Sequence, residues 1–470
     1  MSEIMKYFGV TDEDLKKVIA EALSGGGSYA DLYFENTLSN NLSLRDGAVN
    51  SASSDVDFGM GVRVLSDDRT GYAYTENITL ADMLKVAKTA ANIANSKACI
   101  PPIQIREKTY KNHYPVEQRW EDSTIRDKAP YLQKLNDRIF ELDSNVDKVN
   151  VSLSDSSSCI LFFNSEGQIC SDYRPLVSLR ATCVMEKNGR MENGYVARSF
   201  RQGVEFLTDD LIETVAVDVV KLTALMFSAI TPKGGEMPVV MASGSSGILL
   251  HEAIGHAFEA DFNRKKVSIF SDKYGKQVCD RSINIVDDGT LPANRGTINF
   301  DDEGIESQKT YLIREGVLSS YIHDRISAEH YRVAPTGNGR RESFRYAPVQ
   351  RMRVTYMENG NIPENDIIAS VKNGIYVNNF SNGQVQIGAG DFTFFVKSGY
   401  LIENGKLTQP VKDVNIIGNG PKSLADITMV GNNLKIDNST WTCGKDGQGV
   451  PVSQGLPSVL VKKLTVGGTV

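Results

Sequence analysis

The same order of local signals runs twice through the first 230 residues, and a chain that repeats itself this way is constrained to fold as two like units. In the first copy Thr11 caps an amphipathic helix, with Asp14 three residues on and apolar positions at Leu15, Val18, Ile19 and Leu23. Extended stretches follow at 29–35, 41–45, 58–65 and 70–75, broken by turns at Asp46-Gly47 and Asp67-Asp68. Thr79 with Asp82 then opens a second helix running to about Ala94. The second copy has a helix near 124–142, strands near 148–153 and 159–164, and a turn at Glu166-Gly167. Extended segments at 176–186 and 194–202 enclose the hairpin signal Asn188-Gly189, and a long helix covers 208–226.

This pattern predicts an α+β fold with duplicated antiparallel units at residues 1–96 and 122–230. Residues 97–121, which carry Pro101, Pro102 and Pro115 and lack periodicity, would link them. The segment Thr231-Pro232-Lys233-Gly234-Gly235 closes that half. Residues 231–470 then read as a β-rich domain, sandwich- or barrel-like. It opens with a short strand at 238–241, a Ser/Gly turn at 243–247 and a helix; from about 283 short strands dominate, with one helix at 363–373.

At 470 residues the chain is long enough for two or three cores. A formal charge of -7 argues against a nucleic-acid partner held through phosphates. The start, Met1-Ser2-Glu3-Ile4-Met5-Lys6, has no secretory pattern, and no run of eighteen apolar residues predicts a membrane span. Six scattered cysteines (Cys99, Cys159, Cys170, Cys183, Cys279 and Cys443) fit a reducing cytoplasm, most of them as small buried hydrophobes.

The chemistry concentrates in Leu249-Leu250-His251-Glu252-Ala253-Ile254-Gly255-His256-Ala257-Phe258-Glu259. The chain has only five histidines, and two of them stand here with a carboxylate beside the first. Imidazole is the commonest zinc ligand, and Glu252 is placed to take a proton from a water that the cation acidifies. Positions five apart lie about 140° apart on a regular helix, so an α-helix cannot aim both rings at one ion. A one-residue π-bulge would realign them, and Gly255 is the residue most able to absorb it. The bland alternative is a pair of ordinary histidines on a buried helix that begins near Gly247.

A hydrolytic zinc takes three protein ligands and keeps one open position. Glu259, Asp261, Cys279, His323, His330 and Cys443 all qualify as the third, and spacing does not choose among them. Cys443 lies in the glycine-rich stretch Trp441-Thr442-Cys443-Gly444-Lys445-Asp446-Gly447-Gln448-Gly449, where Lys445 could favour the thiolate. The loop 336–342 carries Arg340 and Arg341, which would suit either a peptide carboxylate or carbonyl, or an ordinary charged hairpin tip. The strand-rich setting suits capture of an extended peptide through its main chain. No glycine-rich segment has the strand–loop–helix context of a nucleotide site.

The segment from His251 to His256, followed by Phe258-Glu259-Ala260-Asp261-Phe262-Asn263-Arg264, resembles the active-site segment of the TldD/PmbA family, in its TldD branch. The resemblance continues through Val286-Asp287-Asp288-Gly289-Thr290, Asp301-Asp302-Glu303-Gly304, and Pro335-Thr336-Gly337-Asn338-Gly339-Arg340-Arg341-Glu342-Ser343. It ends with Cys443-Gly444-Lys445-Asp446-Gly447-Gln448 and Leu464-Thr465-Val466-Gly467-Gly468-Thr469, so it covers nearly the whole C-terminal half. It implies a metal-dependent protease acting on small peptides or unstructured polypeptide segments. It further implies one divalent ion, zinc before iron or manganese, held by His251, His256 and Cys443, with Glu252 as general base. The partners it implies are a second copy or a PmbA-like paralogue in a dimer. The competing expectation is a non-catalytic peptide-binding or regulatory subunit with a structural metal.

Overall fold

The computed structural model describes residues 2–96, 98 and 102–468. Helix α1 (Asp12–Ala22) begins at Thr11, whose hydroxyl accepts from Asp14 N while the Asp14 carboxylate accepts from Thr11 N. Strands β1 (Tyr29–Arg45), β2 (Ala48–Ser66) and β3 (Arg69–Thr75) and helix α2 (Leu80–Ala91) complete the first copy. The second runs through α3 (Ile125–Leu142), β4 (Val146–Asn164), β5 (Gln168–Lys187), β6 (Arg190–Phe200) and α4 (Asp209–Met226).

Each copy is therefore helix, three strands, helix, not four or so strands. The two stretches expected at 29–35 and 41–45 are one continuous strand. The polar run between them does not break β1, because β2 and β4 pair with it on both sides there: Leu38 is opposite both Val56 and Ser157. The hairpin signals act as expected. Asp46 and Gly47, and Asn188 and Gly189, all have positive φ (49°, 79°, 56° and 75°), as two-residue turns between twisted strands require.

The copies join edge to edge into one antiparallel sheet. β1 pairs with β4 from Asp31↔Asn164 to Arg45↔Asn150, giving the order β3-β2-β1-β4-β5-β6. Each copy keeps its own apolar cluster under its helix pair, one around Leu15, Phe34 and Val62, the other around Leu135, Leu179 and Val215. The described part of 97–121 is tied down despite its lack of periodicity: Arg106–Glu107 pairs with β5, and Tyr114 donates to Asp172 at 2.6 Å.

The C-terminal half is β-rich, as expected. A seven-stranded sheet contains β7 (Gly235–Met241), and a six-stranded one contains β8 (Ile285–Asp288) and β9 (Val354–Met357). In the first sheet β10 (Asn373–Val385) pairs with β7 and with β11 (Asp391–Glu403). The hairpin of β12 (Thr442–Lys445) and β13 (Gln448–Pro451) turns through Asp446 and Gly447, both at positive φ. β14 (Ser453–Leu456) joins the six-stranded sheet and β15 (Val459–Gly467) the seven-stranded one. The helix expected at 363–373 is Glu364–Ala369. Helices Arg325–Tyr331 and Gly420–Ala425, capped by Asp324 and Asn419, are too short to show a period in the sequence.

The two halves meet through buried ion pairs. Arg63 on β2 pairs with Asp31 and Glu303, and Arg174 on β5 with Asp172 and Asp302. Arg340 and Arg341 belong to this layer and do not reach outward to a peptide. Both are buried; Arg340 donates to the carbonyls of Met352 and Pro451, and Arg341 to the carbonyl of Asp302. Among the cysteines, Cys170, Cys183, Cys279 and Cys443 are buried, Cys159 is half-buried, and Cys99 lies outside the described residues.

Candidate metal centre

The histidine segment is a helix that changes pitch. A 3-10 turn at Ser245–Gly247 leads into one α-helical turn at Ile248–Leu250, a π-helical turn at His251–Gly255 and a 3-10 turn at His256–Phe258. The amide of His256 donates to the carbonyl of His251, the five-residue bond that defines a π-turn. Two rings that a regular helix would splay therefore stand 5.1 Å apart between centroids, edge to face. Gly255 has an ordinary helical φ of -60°, so backbone freedom is not what the glycine supplies. It supplies room: a Cβ there would meet Met352 Sδ at 2.1 Å. Gly247 is pressed likewise against the backbone of Gly455.

The segment is buried in a core that draws on both C-terminal sheets, through Val239, Met241 and Ile375 of one and Ile285, Met357 and Leu456 of the other. Cys443 arrives from the β12–β13 hairpin, and Arg351, fully buried, donates to its carbonyl. His251, His256 and Cys443 present one ligand atom each, all within 4.8 Å of one another. Cys443 Sγ lies 3.5 Å from His256 Nε2. Tetrahedral zinc, with bonds of about 2.0–2.1 Å to nitrogen and about 2.3 Å to sulfur, sets its N and S donors about 3.5 Å apart. Nδ1 of His251 is buried without a hydrogen-bond partner. Two imidazoles, one with an unsatisfied buried nitrogen, and a thiol fit a divalent cation.

Electrostatics favour the ligating form of the sulfur. Burial pushes the Cys443 thiol up, but His251 and His256 outweigh it and hold it well below the ordinary thiol range. Burial likewise opposes the charge on His256, yet Glu259 and Cys443 lift that imidazole well above its usual value. Lys445 plays no direct part in this. Two residues along the same strand, it shares the buried face of Cys443, and its ammonium reaches Glu259 Oε2 at 3.1 Å and Asp261 Oδ1 at 2.8 Å. Glu259 Oε2 in turn lies 3.2 Å from His256 Nδ1. Burial penalises the Glu259 carboxylate, and Lys445 and His256 overcome this and keep it ionised.

The remaining candidates for a third ligand fall elsewhere. Glu259 stands behind His256 and Asp261 on Lys445. Cys279 is in the C-terminal core, its thiol pushed up to about 12 by burial. His323, lowered to about 4 by burial, packs against Tyr321 and Tyr331, and His330 against Tyr331. Glu252 is half-buried and makes no hydrogen bond or ion pair with another described residue, so its carboxylate is available to a water. The Lys445–Glu259–His256 chain goes beyond the sequence expectations, although the i, i+2 spacing of Cys443 and Lys445 on a strand carries the signal.

Profiles of one family match most of the chain: PmbA/TldA metallopeptidase domain 1 over residues 30–94, the central domain over 118–227 and the C-terminal domain over 234–468. The metalloprotease TldD homolog of Buchnera aphidicola subsp. Acyrthosiphon pisum is 38% identical over 472 residues, covering 98% of this chain and 97% of its own. That of Haemophilus influenzae is 39% identical over 448 residues, covering 94% and 93%. A Saccharolobus solfataricus protein named as a zinc metalloprotease TldD homolog is 30% identical over 478 residues, covering 97% and 100%. Two solved structures share the fold. One, from Thermotoga maritima and described as a suggested modulator of a DNA gyrase, has a TM-score of 0.79 at 22% identity and covers 97% and 100%. The other, TldE from Thermococcus kodakarensis, has a TM-score of 0.75 at 18% identity and covers 97% and 100%.

Proposed function

The chain belongs to the PmbA/TldD metallopeptidase family, and from that premise we propose that it hydrolyses peptide bonds in small peptides or unstructured segments. In this reading His251, His256 and Cys443 hold one divalent cation, zinc before iron or manganese, and Glu252 is the general base. The observation that carries it is the convergence of those three side chains, two of them made to converge by a π-turn. A bound cation supplies Lewis acidity, polarising a carbonyl and acidifying water. Glu252 takes the proton of the attacking water on a carboxylate oxygen and delivers it to the leaving nitrogen. Glu259 holds Nδ1 of His256 and so would leave Nε2 of that ring free to hold a cation. The same reading treats 1–96, 122–230 and 231–470 as the functional units, with 97–121 between them.

A structural zinc is normally closed by four protein ligands. Among the described residues the cluster has three, which supports an open catalytic position over the structural alternative. The name of the Saccharolobus relative supports zinc. The same reading has the chain assemble with a second copy of itself or with a PmbA-like paralogue. The test is cleavage of a flexible peptide by protein purified without chelator, then with chelator, then with metal restored. Activity should be lost and regained; metal-replete protein that cuts no peptide would reject the reading.

A further inference from the structure

A band of short polar side chains crosses the N-terminal sheet where its strands are longest. Ser39 and Asn41 of β1 face Ser156 and Ser154 of β4, and Ser154 faces Ser178 of β5; all line one cleft. Two guanidinium groups, Arg180 and Arg295, line the same cleft.

Arg295 is only 5% exposed, yet its N–H groups reach neutral acceptors alone. These are the carbonyl of Trp441 at 2.9 Å and the hydroxyls of Ser199 at 2.7 Å, Thr442 at 3.3 Å and Ser178 at 3.4 Å. Arg180 donates to Ser154 Oγ at 3.0 Å. Neither forms an ion pair with a carboxylate among the described residues, unlike the buried Arg63, Arg174 and Arg353. The carboxylates lining the cleft do not compensate. Asp155 is taken by Lys128 at 2.7 Å and by Asn40 at 2.9 Å, and Asp55 is exposed. Burial, with Arg201 and Arg180 adding like charge, pushes the Arg295 guanidinium down to about 9. A buried cation without a counter-charge is costly, and guanidinium is the side chain that best recognises planar anions.

The cleft is also placed to matter. Trp441 and Thr442, which Arg295 holds, are the two residues before Cys443. We propose that this cleft binds a carboxylate of the peptide substrate, at a free C-terminus or on an acidic side chain, with Arg180 and Arg295 as its anion site and Arg295 tying that site to the strand that carries Cys443. The proposal rests on the peptidase reading for its choice of ligand.

Three fluorescent versions of one flexible peptide test it: the C-terminal acid, the C-terminal amide, and the amide with one internal glutamate. Binding is measured by anisotropy on chelator-treated protein and cleavage on metal-loaded protein, both at low salt. The acid, the internal glutamate peptide, or both should bind about tenfold tighter than the plain amide, and which one does identifies the carboxylate's source. Arg180→Gln and Arg295→Gln should bring that ratio towards one. Arg295 also joins the sheet to β12, so its loss threatens folding; among the described residues half-buried Arg180 donates only to Ser154, and its variant keeps the test decisive. Equal binding of all three peptides by the unmodified protein, or an unchanged ratio in folded Arg180→Gln, would overturn the site. A carboxylate preference without any cleavage would sustain it and defeat the peptidase reading; cleavage without preference would do the reverse.

Discussion

Cys443 Sγ lies 3.5 Å from His256 Nε2 although 187 positions of chain separate the two residues. The hairpin turn at Asp446-Gly447 and the grip of Arg351 on the Cys443 carbonyl position the sulfur. On the proposed reading Cys443→Ser exchanges an ionised soft donor for a neutral hydroxyl. Metal content after gentle dialysis should fall from about one ion per chain to a small fraction of that. Undiminished stoichiometry by elemental analysis would remove Cys443 from the ligand set.

Glu252→Gln preserves shape and removes the base. The variant should retain its metal and lose about 10²–10⁴-fold in kcat on a flexible peptide, the usual range for general acid–base groups. Full activity in a metal-replete variant would assign the proton transfer to another group.

Glu259 and Lys445 should act through His256. Glu259→Gln should weaken metal binding by about 10–100-fold in a competition titration, as outer-shell partners of metal-binding histidines do. Lys445→Met leaves Glu259 and Asp261 buried without their cation and should cost about 3–5 kcal/mol of stability. Unaltered metal affinity in Glu259→Gln would mean that the 3.2 Å contact does not position the ring.

How much of this was legible follows from the range of each interaction. Thr11 with Asp14, and Asn188 with Gly189, encode a cap and a turn within four residues, and both appear where the chain predicts them. The five-residue step from His251 to His256 is also local, and its mismatch with a regular helix announced the π-turn. Continuity of β1 through its polar middle depends on two neighbouring strands, so the isolated stretch read as a break. The burial of Arg340 and Arg341 is hidden in the sequence for the same reason. Arg340 donates to Pro451 and Arg341 to Tyr72, both far off in sequence, and a charged Gly-Asn-Gly loop looks like a surface tip until such distant segments cover it.

A buried carboxyl at the joint between the halves makes folding sensitive to pH. Glu35 accepts from Phe344 N at 2.7 Å and from Thr37 Oγ1 at 2.7 Å, but burial outweighs both and raises it to about 7. The folded state therefore holds this proton more tightly than the unfolded chain. The stabilisation it brings is complete below about pH 4.5 and disappears as pH rises through about 7, a change of about 3 kcal/mol. Glu35→Gln cannot ionise. Its Tm relative to the unmodified protein should rise between pH 5 and pH 8, and an unchanged difference would show that Glu35 titrates normally.

Gly255 links the π-turn to the packing around it. Alanine suits its backbone angles, so Gly255→Ala should act only through the new methyl group, which would overlap Met352 Sδ. Met352 is fully buried, so its thioether must repack within the core beneath the histidines. The expected cost is about 1–3 kcal/mol, the range for overpacked cores, together with weaker metal binding as His256 shifts. Met352→Ala should cancel much of that cost by clearing the space, so the two substitutions should be far from additive in a double-mutant cycle. Additive losses would place the penalty in the backbone of the π-turn and not in the contact with Met352.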